Sequence, residues 1–173
     1  RRPPRSTLFP YTTLFRSLYV GSFLEYKWVR QVLDSFNKID FNWWEFHLIW
    51  NWPLLKELKS KYKLYENIKF LWFKNNNEVL EYYKKSKIVV IPSICFDNYP
   101  TVALEAINNK CKVIWSNRWG IPEIIWEENT FDILNPLNVT TKIISAFNND
   151  VWLTMWQVSS KEKYINKLIE YIK

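Results

Sequence analysis

The sequence contains very little glycine. Only 2 of its 173 residues are Gly, whereas average usage of roughly 7% would give about twelve. A soluble α/β domain needs glycine wherever the chain adopts a positive φ or approaches a ligand closely. Tryptophan shows the opposite bias, with 11 residues. The two anomalies together indicate that tryptophan stands at positions where the fold needs glycine.

Cysteine and histidine are also scarce. The 2 cysteines, Cys95 and Cys111, cannot form a disulfide framework, and a reducing cytosol fits them best. The single histidine, His47, lies in an apolar segment that we predict to be a strand, which favours a structural role. The sequence has no acid-x-acid pair or histidine cluster, so we expect no metal and no cofactor.

Long apolar runs and signal-peptide patterns are absent from the sequence. We therefore expect a cytoplasmic location, with any peripheral membrane contact made through a part of the intact protein that is not in this sequence.

The net charge of +7 is concentrated near the start of the chain. Residues 1–17 contain four arginines, and without them 20 basic residues face 17 acidic ones. The remaining lysines, such as Lys59, fall on predicted helix surfaces. Solvated helix faces explain them better than a nucleic-acid track, and we expect no nucleic-acid partner.

Residues 1–17 resemble a translated sequencing-library adapter, residue for residue. The string ends where a strand-like segment begins at Leu18. We therefore leave it out of the fold prediction and expect it to be disordered. The expected domain spans residues 18–173, and whatever lay upstream of Leu18 in the intact protein is expected to be missing.

From Leu18 onward, apolar strand patterns alternate with helical patterns. Strands are predicted at Leu18–Phe23, Glu45–Trp50, Ile68–Trp72, Lys87–Ser93, Lys112–Ser116 and Thr130–Asn135. Helices are predicted at Val29–Ile39, Pro53–Tyr62, Glu78–Lys84, Pro100–Asn109, Ile121–Ile125, Val139–Asn149 and Ser160–Ile172. This alternation predicts an α/β fold, a Rossmann-like doubly wound parallel sheet of about six strands that binds ligands at the strands' carboxyl ends.

Residues 91–106 carry the most chemical information. A buried strand ends at Ser93, and Pro100 marks the start of a helix, with Asn98 or Tyr99 as its N-cap. A helix N-terminus offers free backbone N–H groups and a positive dipole end to an anion. The segment therefore predicts a site for an anion such as a diphosphate.

Two acids flank this helix start, Asp97 in the loop and Glu105 in the second turn. A lone acid in an apolar helix needs a partner, and a pair of ligand hydroxyls would serve. From the residues alone, an exposed glutamate and a turn-forming aspartate explain the pattern equally well. The spacing, with seven residues between the acids, resembles the acidic signature of family 4 retaining glycosyltransferases. That resemblance implies that Glu105 accepts hydrogen bonds from the nucleotide ribose and that Asp97, in place of the usual glutamate, holds a hydroxyl of the transferred sugar.

Other segments are similar to the same family. Residues 18–23, followed by Lys27, resemble its opening strand and phosphate-binding loop, which implies that Lys27 contacts the donor phosphates; Ser22 replaces the family's arginine. Residues 115–123 resemble its Gly-Gly-x-Pro-Glu loop. The resemblance runs to about Phe147. It implies a wider donor-binding set: Gly21, Ser22, Trp50, Trp52, Asn98, Tyr99, Pro100, Thr101, Val102, Arg118, Trp119, Gly120 and Glu123. Ordinary salt bridges within the loop explain Arg118 and Glu123 equally well.

The resemblance implies the C-terminal, donor-binding half of a GT-B glycosyltransferase. The expected reaction is retaining transfer of a glycosyl group from a nucleotide-diphosphate sugar to an unknown carbohydrate or lipid-linked acceptor. An N-terminal acceptor domain would be missing, and the fragment alone would be inactive. Two alternatives stay open: a nucleotide- or sugar-binding module without turnover, and a GT-B sugar-nucleotide epimerase, which would need a histidine in the donor cleft.

The tryptophan excess has one explanation that covers the glycine shortage as well. Our hypothesis is a gene from a lineage that reads UGA as glycine, translated with a code that reads UGA as tryptophan. The positions concerned are Trp28, Trp50, Trp52, Trp72, Trp115, Trp119, Trp126 and Trp156. The alternative is a tryptophan-rich surface that stacks on sugars. We expect Trp50, Trp52 and Trp119 to crowd the nucleotide pocket.

Overall fold

A computed structural model describes residues 15–39, 44–49, 54–94, 101–118 and 127–148. The strands in these ranges are β1 (Phe15–Val20), β2 (Trp44–Ile49), β3 (Ile68–Leu71), β4 (Ile88–Ile91), β5 (Lys112–Ser116) and β6 (Thr130–Phe131). The helices are α1 (Val29–Phe36), α2 (Leu55–Lys61), α3 (Asn76–Lys84), α4 (Thr101–Asn108) and α5 (Pro136–Asn148). Short 3₁₀ turns lie at Glu25–Lys27 and Glu127–Asn129.

The strands form one parallel sheet in the order β3-β2-β1-β4-β5-β6. The chain builds one half outward from β1 and then returns to the middle to build the other half from β4. Ser17 pairs with Ile88 and Leu18 with Val89 where the halves meet. This reversal of strand order is the point at which open α/β sheets bind their ligands, and the predicted Rossmann-like fold is confirmed.

The two faces of the sheet are covered by different helices. One core cluster contains buried residues of α1, α2 and α5, and the other contains buried residues of α3 and α4. The split follows from handedness, since right-handed crossovers that run in opposite directions along a sheet place their helices on opposite faces.

Strand β4 contributes side chains to both core clusters. Ile88 and Val90 belong to the first cluster, whereas Val89 and Ile91 belong to the second. Successive side chains of a strand point to opposite faces, so a run of four apolar residues is what a doubly covered central strand requires.

The first strand differs from its prediction at both ends. It begins at Phe15, inside the segment expected to be disordered, because β2 offers paired backbone from Trp44 onward and backbone pairing does not depend on side-chain identity. It ends at Val20, short of Phe23, because Gly21 has a φ of 152° and the chain then turns. The expectation of disorder up to residue 17 is therefore wrong for residues 15–17.

The end of the sheet also differs from its prediction. Strand β6 has only two residues, because the backbone N–H of Asp132 donates to Asn138 Oδ1 at 2.7 Å and the chain turns into α5. Asn135 caps that helix by accepting from the backbone N–H groups of Leu137 and Asn138. Pro136 follows at the first helical position, where proline is favoured. The helix thus begins three residues before the predicted Val139.

The remaining predicted elements lie close to their positions in the structure, with β5 matching at both ends. The predicted helices at residues 121–125 and 160–172 lie outside the described residues.

Candidate functional site

A cleft opens at the carboxyl ends of β1 and β4, where the strand order reverses. Its volume is about 440 Å³, within the roughly 300–1,000 Å³ of small-molecule sites. It brings together predicted site residues from three separate segments. These are Gly21, Ser22, Lys27, Thr101, Val102 and Glu105.

The first segment turns sharply after β1. The backbone N–H of Gly21 donates to the Ile49 carbonyl at 3.2 Å, and the Tyr19 hydroxyl donates to the Ser22 carbonyl at 2.7 Å. A Cβ on Gly21 would lie 3.0 Å from the Tyr19 hydroxyl oxygen, and its φ is one that L residues rarely adopt. This position therefore needs one of the chain's rare glycines, because the backbone itself forms the cleft wall here.

Lys27 brings positive charge to the cleft. It ends the 3₁₀ turn Glu25–Lys27, and its ammonium donates to Ser93 Oγ at 3.2 Å. The same turn is tied to the loop after β4 by a 3.1 Å hydrogen bond from the Ile94 N–H to the Tyr26 carbonyl. The ammonium is therefore held between the ends of the two central strands.

Helix α4 presents one side to the cleft and the other to the core. Thr101, Val102 and Glu105 line the cleft, whereas Ala103 and Ala106 are fully buried. Glu105 shares that side with Thr101, four residues earlier, and with Val102, three residues earlier, because of the 3.6-residue period. The first turn of α4 therefore meets the cleft on the same side as the glutamate.

Glu105 has a specific partner in the protein. The hydroxyl of Tyr83, a fully buried residue of α3, donates to Glu105 Oε2 at 3.1 Å. Burial raises the pKa of Tyr83 above its ordinary range, and the nearby Glu105 charge raises it further. The phenol therefore stays protonated and remains a hydrogen-bond donor to the carboxylate.

Arg118 is not brought to the cleft. Its Nη2 lies 3.6 Å from Asp132 Oδ1, and its backbone N–H donates to the Ser116 carbonyl at 2.8 Å. In the described residues this is a loop ion pair beside β5 and β6, so the geometry does not support donor contact by Arg118.

The other predicted site residues lie outside the described residues. They are Trp50, Trp52, Asp97, Asn98, Tyr99, Pro100, Trp119, Gly120 and Glu123.

Sequence reasoning missed several residues that shape the cleft. Tyr19, Asn76, Val79 and Ser93 line it, and Tyr83 supports it from behind. The sequence does contain a signal that places Asn76 at the start of a helix. Asn75 and Glu78 form a capping box that fixes the start of α3 at Asn76, two residues before the predicted start.

The structure tests the tryptophan hypothesis at Trp28, Trp72 and Trp115. Trp28 adopts the left-handed conformation, with φ 47° and ψ 32°, a region that favours glycine. Trp115 is fully buried in β5 and Trp72 is exposed beneath the Lys59 ammonium; neither has a positive φ. The backbone thus supports glycine at Trp28 and gives no such support at the other two.

Two further features concern what the site could hold. In the described ranges, no group of three or more His, Cys, Asp or Glu side chains could hold a metal ion. His47 lies in β2, where its Nε2 is 2.7 Å from Glu45 Oε2, and it does not line the cleft.

None of the described helices has both the length and the apolar character that a membrane crossing requires.

The parallel sheet and its cleft define a Rossmann-like domain of the kind found in GT-B glycosyltransferases. The family model for Glycosyl transferases group 1 matches residues 5–150. The chain belongs to this family.

One curated relative is an uncharacterised glycosyltransferase of Methanocaldococcus jannaschii, 30% identical over 139 residues. That alignment covers 77% of this chain and 38% of the relative. The chain therefore spans well under half the length of that relative.

Solved structures share the fold. Sucrose-phosphate synthase from Thermosynechococcus elongatus matches with a TM-score of 0.69 at 20% identity, over 82% of this chain and 38% of its own. The catalytic domain of cholesterol-alpha-glucosyltransferase from Helicobacter pylori matches with a TM-score of 0.68 at 20% identity, over 92% of this chain and 99% of its own. Anabaena HepE in complex with UDP-glucose matches with a TM-score of 0.69 at 14% identity, over 80% of this chain and 40% of its own.

Proposed function

We propose that this domain binds the nucleotide-diphosphate sugar donor of a retaining glycosyltransferase. The observation that carries the proposal is the meeting of Lys27, the first turn of α4 and Glu105 in one cleft at the strand-order reversal. A cation and a helix N-terminus suit a diphosphate, and a carboxylate suits a pair of hydroxyls. The complex of HepE with UDP-glucose, a protein of the same fold, supports the same choice of ligand.

Each group has a distinct role in the proposal. Lys27, fixed by Ser93, neutralises the diphosphate together with the backbone N–H groups at the start of α4. Glu105 accepts hydrogen bonds from the ribose hydroxyls. Asp97 holds a hydroxyl of the transferred sugar, as the family resemblance implies.

The chemistry follows from these roles. The bond between the anomeric carbon and the diphosphate oxygen breaks. The acceptor hydroxyl oxygen forms the new glycosidic bond on the same face of the sugar, and its proton passes to the departing diphosphate. Negative charge grows on the departing diphosphate, where Lys27 and the α4 dipole stabilise it.

The acceptor and its binding domain lie outside this chain in the proposal. A nucleotide-binding domain without turnover is the outcome expected for the isolated chain.

The epimerase alternative is not favoured. It needs a histidine in the donor cleft, and the single histidine, His47, lies in β2 bonded to Glu45. A glycosyltransferase donor site needs no histidine in these roles.

The test is calorimetric titration of the 173-residue chain with UDP, ADP and GDP. We expect one of them to bind weakly and Glu105→Ala to abolish the binding, because the ribose loses its acceptor. A second form with glycine at positions 50, 52 and 119 is titrated in parallel. We expect it to bind more tightly, because the sequence predicts that tryptophan at these positions crowds the nucleotide pocket.

Asp132→Ala is the matched control, since it removes an acid that pairs with Arg118 away from the cleft. Equal affinities for the parent and Glu105→Ala in both forms would contradict the ribose assignment.

A further inference from the structure

Glu105 is held from behind by a residue that does not line the cleft. The Tyr83 hydroxyl reaches it from α3 across the contact between the two helices, at 3.1 Å from Oε2. Among the described residues, Oε1 accepts no hydrogen bond from the protein. One oxygen of the carboxylate is thus hydrogen-bonded by the protein, and the Glu105 side chain lines the cleft.

Tyr83 is itself firmly placed. Its ring is fully buried in the core cluster that α3 and α4 share with the sheet. Its carbonyl accepts from the Ser86 N–H at 2.9 Å and from Cys111 Sγ at 3.0 Å. A ring packed at interior density has few alternative rotamers, so the position of the hydroxyl is set by the core.

A glutamate on a helix surface has no such restraint of its own. Its long side chain loses rotamer freedom when it is fixed on a ligand, and that loss weakens binding unless the protein has already ordered it. A hydrogen bond from a rigid neutral donor orders the carboxylate while leaving its charge and one oxygen for the ligand.

We propose that Tyr83 is a positioning residue that orients the Glu105 carboxylate so that Oε1 meets the ribose hydroxyls of the bound nucleotide. The inference rests on the proposed function, because it assigns those hydroxyls to Glu105. It adds that recognition of the ribose depends on a buried α3 side chain that never touches the nucleotide.

The experiment compares Tyr83→Phe with the parent chain. The probes are the nucleoside diphosphate that binds best in the panel above and its 2′,3′-dideoxy counterpart. We expect Tyr83→Phe to weaken binding of the ribonucleotide about five- to tenfold, the effect of having to immobilise one flexible side chain, Glu105, when the ligand binds. Affinity for the dideoxy ligand should stay unchanged, because that ligand has no hydroxyls for Glu105 to accept from.

Tyr82→Phe is the matched control. It removes a neighbouring hydroxyl from the same helix, where the ring lies against His47 and not against Glu105. It should leave both affinities unchanged. The Phe variants keep the aromatic ring in place, and a thermal melt verifies that each is folded.

A double variant completes the test. In a Glu105→Leu background, Tyr83→Phe should have no further effect on the affinity that remains, since no side-chain oxygen is left for it to orient. Additive losses in the double variant would overturn the positioning role.

The outcomes separate the two proposals. If the parent does not discriminate between the ribonucleotide and the dideoxy ligand, the ribose role of Glu105 fails and the positioning role fails with it. If the parent discriminates and Tyr83→Phe discriminates equally well, only the positioning role fails. A loss that is equal for both ligands would show a general structural effect and would also overturn it.

Discussion

At the scale of single residues, the glycine shortage has a visible cost in the backbone. Trp28 and Lys110 are the non-glycine residues with positive φ in the described ranges. Lys110 follows α4, where the N–H of Cys111 donates back to the Ala106 carbonyl, an arrangement usually completed by glycine. Trp28 precedes α1, and its indole packs against the first core cluster. At Trp28 the side chain therefore stabilises the fold while its Cβ strains it.

Comparing Trp28→Gly with Trp28→Ala separates these two effects. Both variants lose the indole packing, but only alanine keeps a Cβ in the left-handed region. We expect the glycine variant to be more stable than the alanine variant by about 1–2 kcal/mol. Urea unfolding of both variants measures the difference. Equal stabilities, or a more stable alanine variant, would contradict the left-handed conformation at this position.

At the scale of elements, the link between α1 and α2 is the clearest electrostatic feature. Asp34 accepts from the Lys61 ammonium at 2.8 Å and from the Tyr62 hydroxyl at 2.6 Å. Partial burial acts to raise the pKa of Asp34, but the hydrogen bonds from Lys61 and Tyr62 outweigh it, and the net pKa is lower than in an ordinary aspartate. The same contact raises the pKa of Tyr62, whose burial is the larger cause.

The depressed pKa of Asp34 predicts a pH dependence of stability. A carboxyl group whose pKa is lower in the folded state stabilises the fold above its unfolded pKa and loses that contribution as the pH falls through its folded pKa. We expect Asp34→Asn to lower the free energy of unfolding near neutral pH by less than about 1 kcal/mol, because solvent screens a half-exposed pair. The gap should close as the pH falls below the ordinary aspartate pKa of about 3.9 and through the lower pKa of the folded state.

Denaturant titrations of the parent and Asp34→Asn across that pH range provide the measurement. Asp132→Asn serves as the comparison, since its partner Arg118 lies 3.6 Å away in a looser pair. A gap for Asp34→Asn that stays constant with pH would rule out the ion pair as its source.

Helices and strands were predictable from the sequence where the apolar pattern and the length of the segment point to the same type of element. The apolar run of β4 and the apolar run Val113–Trp115 within β5 locate two interior strands without tertiary information. The first and last residues of β1 were not predictable, because they depend on backbone pairing with β2. The pattern of side chains along the sequence does not indicate where that pairing begins or ends. The start of α5 was readable in principle from Asn135-Pro136, a cap followed by proline.

The same distinction applies to the site. Lys27 and Glu105 were predicted as site residues because motif residues lie at characteristic positions along the chain. The structure brings both to the cleft, and their roles there stay predictions. Tyr83 was missed because a tyrosine on the apolar side of a helix looks like any core aromatic. Only the packing of α3 on α4 places its hydroxyl beside Glu105. Arg118 was predicted from a loop resemblance, and its pairing with Asp132 could not be inferred from sequence spacing.

At the scale of the whole molecule, the cleft joins the two halves of the sheet. Gly21 and Lys27 come from the first half, and Ser93 and Glu105 come from the second. A ligand that spans both is therefore expected to stabilise the entire fold rather than one loop.

Thermal unfolding with and without ligand tests this expectation. At a concentration about 100 times its Kd, a ligand specific for the folded state adds roughly 2.7 kcal/mol. That should raise Tm by on the order of 5 °C or more in a chain of this size. The nucleoside diphosphate should raise Tm more than inorganic diphosphate at equal concentration, because only the former reaches Glu105. A nucleoside without phosphate that gives the same shift would argue against the Lys27 and α4 contribution.

The central place of β1 has a consequence for how the molecule forms. It is the first of the described strands, yet its second neighbour β4 lies far along the sequence, with Ser17 paired to Ile88. During synthesis, β1 can pair with β2 soon after both strands emerge. Its other edge stays unpaired until β4 has been synthesised, which is after most of the described residues. Pairings of this kind are slow to close and leave an open strand edge in the meantime. The cleft opens beside this late-pairing edge of β1, so it is completed late in folding. Glu105 joins it later still, because α4 follows β4 in the chain.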